Sequence, residues 1–496
     1  MENQQPLRLW DRFKKVDTLY WCLYVVVALD FLLIAFAADA QYYLKEYIMI
    51  PCAIFLYAAF ARQKTGTTKA LLGMGLVMTA WFVFVQAVHH HTSMDTRPLG
   101  MFFSVYLLAL PFAALTREGE SCNGLKMWTV GFLGGVMVLL VIAAFLLAGR
   151  VPSSLLSSVW YDYGRLNVLT HPNNFGGTLM IGVGLCLTMI SMAKHVWVKG
   201  TLWVLVVLQF VGLALTNCRS AVIMGSLLLA GFVFFAISKG GFFRFVAGAV
   251  AAVLVAAGCF FGSQELFARH QKRILETMPI AQTLPMQEEE SHPVLALATQ
   301  TINRRVRADV PVNQGRVIAS AAPNSVGYSP QHPLLQTLPS FGGRTPIWQE
   351  EIKSIKQFPR VALLGIDYVR EYLERTGNRP YAHSHNSWME VLMILGIPGL
   401  VLASVFTLMA VWLVLATLFG KGAKLWQKTV ALLVICILGI SVTEPYLFLS
   451  GLVMSQGHMF HHIDFTFFLC LGYLAYWRAE AKRTRRAVAA GTPNVE

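Results

Sequence analysis

Charge is what this sequence has least of. Only 13% of its 496 residues are Asp, Glu, Lys or Arg, against roughly a quarter in soluble domains. The shortage is concentrated: residues 71–85, 130–147 and 246–261 contain no charged side chain. Each run approaches the ~20 residues that cross a hydrocarbon core. A backbone in lipid must pair its own N–H and C=O groups, so such runs should be helices. Cysteine is absent where it would signal chemistry. None of the eight cysteines (22, 52, 122, 186, 218, 259, 436 and 470) lies in the long polar segment 263–388, and none forms a C-x-x-C pair. That argues against a disulfide framework or a thiolate metal site and leaves small apolar packing residues. The first apolar run, near 19–36, has no small-x-small cleavage site leading into a soluble domain, so it reads as a span rather than a signal peptide.

Apolar runs make up most of the remainder. Twelve candidate spans lie near 18–36, 46–62, 69–88, 100–116, 127–148, 172–192, 201–216, 220–238, 243–262, 388–416, 428–448 and 460–477. Cations test the topology. Arg8, Arg12, Lys14 and Lys15 place the N-terminus inside. Alternate loops then carry Arg62, Lys64 and Lys69; Arg117 and Lys126; Lys194 and Lys199; Lys239 and Arg244; and Lys421, Lys424 and Lys428. The tail, Arg478 to Arg486, is basic as well. The net charge of +14 is thereby accounted for by cytoplasmic loops, and no nucleic-acid partner is implied. The expected organisation is spans one to nine in 1–262, an outside loop in 263–387, spans ten to twelve in 388–477 and a basic cytoplasmic tail in 478–496. Within the loop, Thr345-Pro346 should start a helix, and a second short helix is expected over 368–375. The stretch 278–341, with its Pro, Gln and Ser, is expected to be partly mobile. No internal repeat is visible.

Outside loops should be poor in cations, which makes three arginines conspicuous. Arg165 precedes His171-Pro172-Asn173-Asn174-Phe175-Gly176-Gly177, Arg219 sits in Thr216-Asn217-Cys218-Arg219-Ser220, and Arg344 sits in Gly342-Gly343-Arg344-Thr345-Pro346. Each is expected near a helix N-terminus, where free N–H groups favour anions. A guanidinium fork added there suits phosphate. A lone loop arginine is ordinarily a solvated cation; the recurrence of three on one side favours an anion site. At the outside mouth of span ten lies Tyr381-Ala382-His383-Ser384-His385-Asn386. A histidine there can exchange a proton near neutral pH. His383 and His385 alone do not complete a metal set, so no metal is expected. His458, His461 and His462 are read as lining the same outside mouth. Asp30 and Glu444 are read as near membrane depth, with no assigned role.

His385-Asn386, nine further residues and then Gly396-Ile397-Pro398-Gly399 resemble the signature of bacterial O-antigen ligases. Arg165 with the His171-Pro172-Asn173 turn, the Thr216–Ser220 turn, and Gly343-Arg344-Thr345-Pro346-Ile347-Trp348 match the same membrane domain in family order. O-antigen polymerases and bacterial O-linked oligosaccharyltransferases share that domain. The resemblance covers roughly residues 160–416 and implies an all-α polytopic, GT-C-like glycosyltransferase of the inner membrane. It implies a metal-independent, inverting transfer of a glycan from undecaprenyl diphosphate to lipid A–core in the periplasmic leaflet, with no cofactor. Arg165, Arg219 and Arg344 would stabilise the diphosphate. His385 would orient or deprotonate the acceptor hydroxyl, Asn386 would help fix its imidazole, and His171, Asn173 and His383 would support the site. The long loop departs from shorter family members, so the acceptor stays open between lipid A–core, another lipid-linked glycan and a protein. A twelve-helix transporter is the reading from a different class. It is disfavoured because no paired broken helices occur in matching halves.

Overall fold

The computed structural model describes residues 66–88, 123–148, 160–162, 165–168, 172–238, 240–277, 344–357, 359–365, 384–420, 422–448 and 461–489. The expected spans 18–36, 46–62 and 100–116 and the expected helix 368–375 lie outside the described residues. So do His171, His383, Asp30, His458 and the stretch 278–341. The chain divides into two units, one formed by Met1–His270 with Phe341–Glu496 and the other by Gln271–Ser340. The description below concerns the first.

Among the described residues it is helical apart from one hairpin. The order is α1 (Gly66–Val88), α2 (Asn123–Leu147), β1 (Trp160–Asp162), β2 (Arg165–Asn167), α3 (Pro172–Met192), α4 (Val196–Thr216), α5 (Arg219–Ile237) and α6 (Phe242–Thr277). It continues with α7 (Thr345–Gln357), α8 (Pro359–Leu364), α9 (Ser387–Leu418), α10 (Leu425–Ser441) and α11 (His461–Ala489). Among the described residues, α2, α3, α4, α5, α6 and α9 are long and apolar enough to cross a membrane, and α10 and the Gly73–Val88 part of α1 are shorter apolar helices. The described residues are thus mostly helical, with several candidate membrane spans, as a polytopic membrane protein has.

α3 is the central post, buried along nearly its whole length and packed by α2, α4, α5 and α10. Lipid offers no hydrophobic drive between helices, so close packing of small residues must supply the attraction. At Gly184, an added Cβ would sit 2.7 Å from Leu433 of α10 and 2.9 Å from Leu228 of α5. Deeper packing is stitched by side chains: Trp128 of α2 donates to Thr466 of α11, and Thr178 of α3 pairs with His462 at 2.8 Å. His462 is buried in the helix interior and does not line an outside mouth; its neighbours on α2 and α3 enclose it.

α9 is broken one third of the way along. Pro398 has no N–H to give the carbonyl four residues back, and Gly396 leaves the helix at φ 68°, ψ −169°. Trp81 of α1 donates its indole N–H to the Leu395 carbonyl, 2.8 Å away, satisfying one group the break releases. The C-terminal end of α8 abuts the same break. A Cβ on Gly396 would collide with the Leu363 carbonyl, and one on Gly365 (φ 78°) with the Ile394 carbonyl. The two glycines thus bring two backbones into direct contact, and α8 itself (Pro at its first position, Gly after its last) was not anticipated.

The two ends of α9 mark the two ends of the bundle. Trp412, on the part of α9 beyond the break, stacks under the Arg478 guanidinium at 4.2 Å.

Candidate functional site

The structure draws Asn173, Arg344 and His385, with Arg165 behind Asn173, around Glu444, a residue with no role assigned above. The reason is local. α10 was expected to run to residue 448, but it ends at Ser441. A residue before proline is pushed out of the helical region, and Pro445 does this to Glu444. Residues 442–448 turn back across the end of the bundle where α9 begins, carrying the carboxylate into it.

Glu444 is only 4% exposed at its side chain, whereas those of Arg344 and His385 are 25% and 28% exposed. A ligand can thus reach the arginine and the imidazole while the carboxylate stays behind them. Glu444 Oε1 accepts from Arg344 Nη2 at 2.8 Å and from Asn173 Nδ2 at 2.6 Å. Its Oε2 faces His385 Nδ1 at 3.4 Å. Asn173 Oδ1 in turn accepts from Arg165 Nη2 at 2.7 Å. One carboxylate and one amide therefore link two arginines and a histidine, the five residues coming from five separate segments.

Arg165 is on strand β2, opposite Asp162. It reaches the first turn of α3 through Asn173, and its Nε donates to the Thr216 carbonyl at 2.9 Å. That second bond fixes the turn between α4 and α5. Asn217 takes a left-handed conformation (φ 47°) there, and Arg219 begins α5. Gly176 makes room for the turn, since a Cβ on it would lie 2.6 Å from that of Cys218. Arg344 directly precedes α7, its carbonyl accepting from Trp348 N–H. Arg344 on Glu444 and Arg165 on Asn173 bring two guanidinium groups to this site, a donor set that suits phosphate oxygens.

Tyr446 closes the back of the site, its hydroxyl donating to the Asn173 carbonyl at 2.7 Å. Burial, and then the Glu444 carboxylate, push this phenol well above its ordinary pKa, so it stays protonated and remains a donor.

His385 has positive φ (51°), an uncommon backbone conformation for a non-glycine residue and one often held at functional sites. Asn386 does not fix its imidazole, contrary to expectation. The Asn386 side chain caps α9, accepting from Trp388 and Met389 N–H at 2.9 and 3.0 Å, and donates to the Val442 carbonyl at 3.0 Å. An Asn at this position is used for its backbone-mimicking oxygen. Asn386→Ala is expected to lower stability by about 1 kcal/mol, read as a fall in Tm of the purified protein. Asn386→Asp should recover the cap but not the bond to Val442; a Tm unchanged by Asn386→Ala would refute this role.

Residues 204–404 match the family model described as O-Antigen ligase. No curated protein matches the chain. The matched span runs from α4 to the middle of α9 and holds Arg219, Arg344, His385 and the Gly396 break. Over that span the chain is similar to the O-antigen ligase family. Arg165, Asn173 and Glu444 fall outside the matched span. Glu444 could have been found from the Glu-Pro pair alone, because Pro445 forbids the helix that the apolar run otherwise suggests.

Proposed function

We propose that this protein is an O-antigen ligase of the bacterial inner membrane. It moves a glycan from undecaprenyl diphosphate to lipid A–core on the periplasmic side, with both termini cytoplasmic and residues 263–387 forming the large periplasmic loop. The observation that carries this reading is the convergence of Arg344, His385 and the Arg165–Asn173 pair on Glu444. The carboxylate opposite Nδ1 favours the tautomer protonated there and leaves Nε2 to accept a proton. In the transfer, the acceptor hydroxyl oxygen attacks the anomeric carbon and its proton passes to His385 Nε2. The bond from that carbon to the phosphate oxygen breaks on the opposite face, which inverts the anomeric centre. Negative charge then grows on the leaving diphosphate, and Arg165, Arg219 and Arg344 stabilise it. Fixed charge of this kind is commonly the largest catalytic contribution and serves the role a metal ion would otherwise fill.

The test is complementation of a Gram-negative strain lacking its own ligase, with lipopolysaccharide resolved on a gel. The wild-type chain should restore the ladder of long-chain species. Arg344→Ala, Arg219→Ala and His385→Ala, at matched membrane levels, should abolish it. Transfer to another lipid-linked glycan or to a protein, with no ladder, would reassign the acceptor. A full ladder from His385→Ala would reject the proton-transfer role.

A further inference from the structure

Behind His385 lies a second polar cluster that the transfer reading leaves unused. Ser384, the residue before His385, is held at all three of its polar atoms. Its N–H donates to Glu390 Oε2 at 2.9 Å, its hydroxyl donates to Glu351 Oε1 at 2.6 Å, and its carbonyl accepts from the Trp348 indole at 2.7 Å. Trp348 and Glu351 are three apart on α7 and share a face with Arg344, one and two turns back. Glu351, Ser384 and Glu390 are buried at 6%, 0% and 0% exposure. A buried carboxyl pair is costly, and packing alone does not call for it.

We propose that Glu351 is a positioning residue, gripping Ser384 together with Glu390 so that His385 and Arg344 are held in one fixed relation. The inference rests on the transfer reading above. The same helix face that ends in Arg344 grips the residue preceding His385, so α7 and the start of α9 act as a single part. The clamp also holds the left-handed backbone at His385, which would otherwise relax to an extended form. Two carboxyls sharing a site cannot both ionise cheaply. Burial, with Glu390 adding to it and the Ser384 hydrogen bond opposing it, pushes Glu351 up to about 8. Its Oε2 is buried without a hydrogen-bond partner, which a neutral acid tolerates better than a carboxylate. Glu351 is therefore neutral at pH 7, and ionisation at higher pH sets it against Glu390 and loosens the grip.

The experiment uses the full-length protein in lipid nanodiscs, comparing wild type, Glu351→Gln and Glu351→Ala. Three readouts are taken: transfer kinetics, Tm against pH, and the rate at which diethyl pyrocarbonate modifies His385, followed on its peptide by mass spectrometry. Glu351→Ala should lower kcat by about 10- to 100-fold, the scale of a small misplacement, with little change in donor KM, and should speed modification of His385. Glu351→Gln, which keeps a neutral acceptor for Ser384, should restore kcat and the modification rate at pH 7. The wild type should lose kcat as pH rises through about 8, and Glu351→Gln should not. A carboxyl whose folded pKa is raised contributes stability fully below its unfolded value, near 4.5, and loses it as pH climbs through 8. Wild-type Tm should therefore fall across that window, and the Gln variant should be flatter. Equal pH slopes in wild type and Glu351→Gln, or wild-type kcat and His385 reactivity in Glu351→Ala, would overturn the proposal. If the wild type transfers no glycan while the Tm and modification results come out as expected, the transfer reading fails and the clamp stands.

Discussion

Glu444→Gln should lower kcat for glycan transfer by about 10³- to 10⁴-fold, the scale seen when a carboxylate orienting a catalytic imidazole becomes an amide. The loss should appear with little change in donor KM. The amide oxygen can still accept from Arg344 and Asn173, which now bond to Oε1. Its NH2 group must then face His385 Nδ1, where Oε2 now lies. A donor there forces the imidazole proton onto Nε2, the nitrogen that has to receive the acceptor's proton. Glu444→Ala should be worse, because it also removes the shared acceptor of Arg344 and Asn173. Losing the acceptor of two partly buried donors costs up to about 1–3 kcal/mol, so a lower Tm is expected as well. The measurement is kcat and KM on purified protein with a lipid-diphosphate-linked glycan. Wild-type kcat in Glu444→Gln would remove Glu444 from the mechanism.

Gly396→Ala is expected to have the largest effect on folding. The position has φ 68°, and forcing an L side chain into such a conformation costs on the order of 1–3 kcal/mol. The added Cβ also strikes the Leu363 carbonyl. Neither backbone can give way cheaply, since Trp81 pins the neighbouring Leu395 carbonyl and α8 lies directly over the break. Steric overpacking adds about 1–3 kcal/mol, enough together to unfold a marginal protein. The expected result is a large drop in Tm and in the monodisperse fraction on size exclusion. Gly365→Ala should behave similarly, because it meets the Ile394 carbonyl from the other side of the same contact. The double variant should then lose less than the sum, as coupled neighbours do. A Gly396→Ala protein with wild-type Tm would mean that the close approach contributes nothing.

Hydrophobic run length by itself determined that this is a helical membrane protein and located nine of its helices. Backbone hydrogen bonding in lipid leaves few alternatives to a helix. The distribution of cations singled out Arg165, Arg219 and Arg344, and the expected outside position of His385 made it a candidate for proton transfer. Those inferences needed only local composition and the alternation of sides. Tertiary structure decided which groups meet. Asn386 looked like a partner for the imidazole because it is adjacent in sequence, yet capping α9 satisfies two N–H groups at once. His462 looked like a surface group because it begins a span, yet Thr178 of α3 holds it inside. Glu444 was hidden in an apolar run, and its partners Arg344 and Asn173 lie 100 and 271 residues away in sequence. Hydropathy reports how each segment meets lipid, one segment at a time. A site formed where several helix ends meet depends on side-chain directions across the bundle, and those are fixed only when the helices pack.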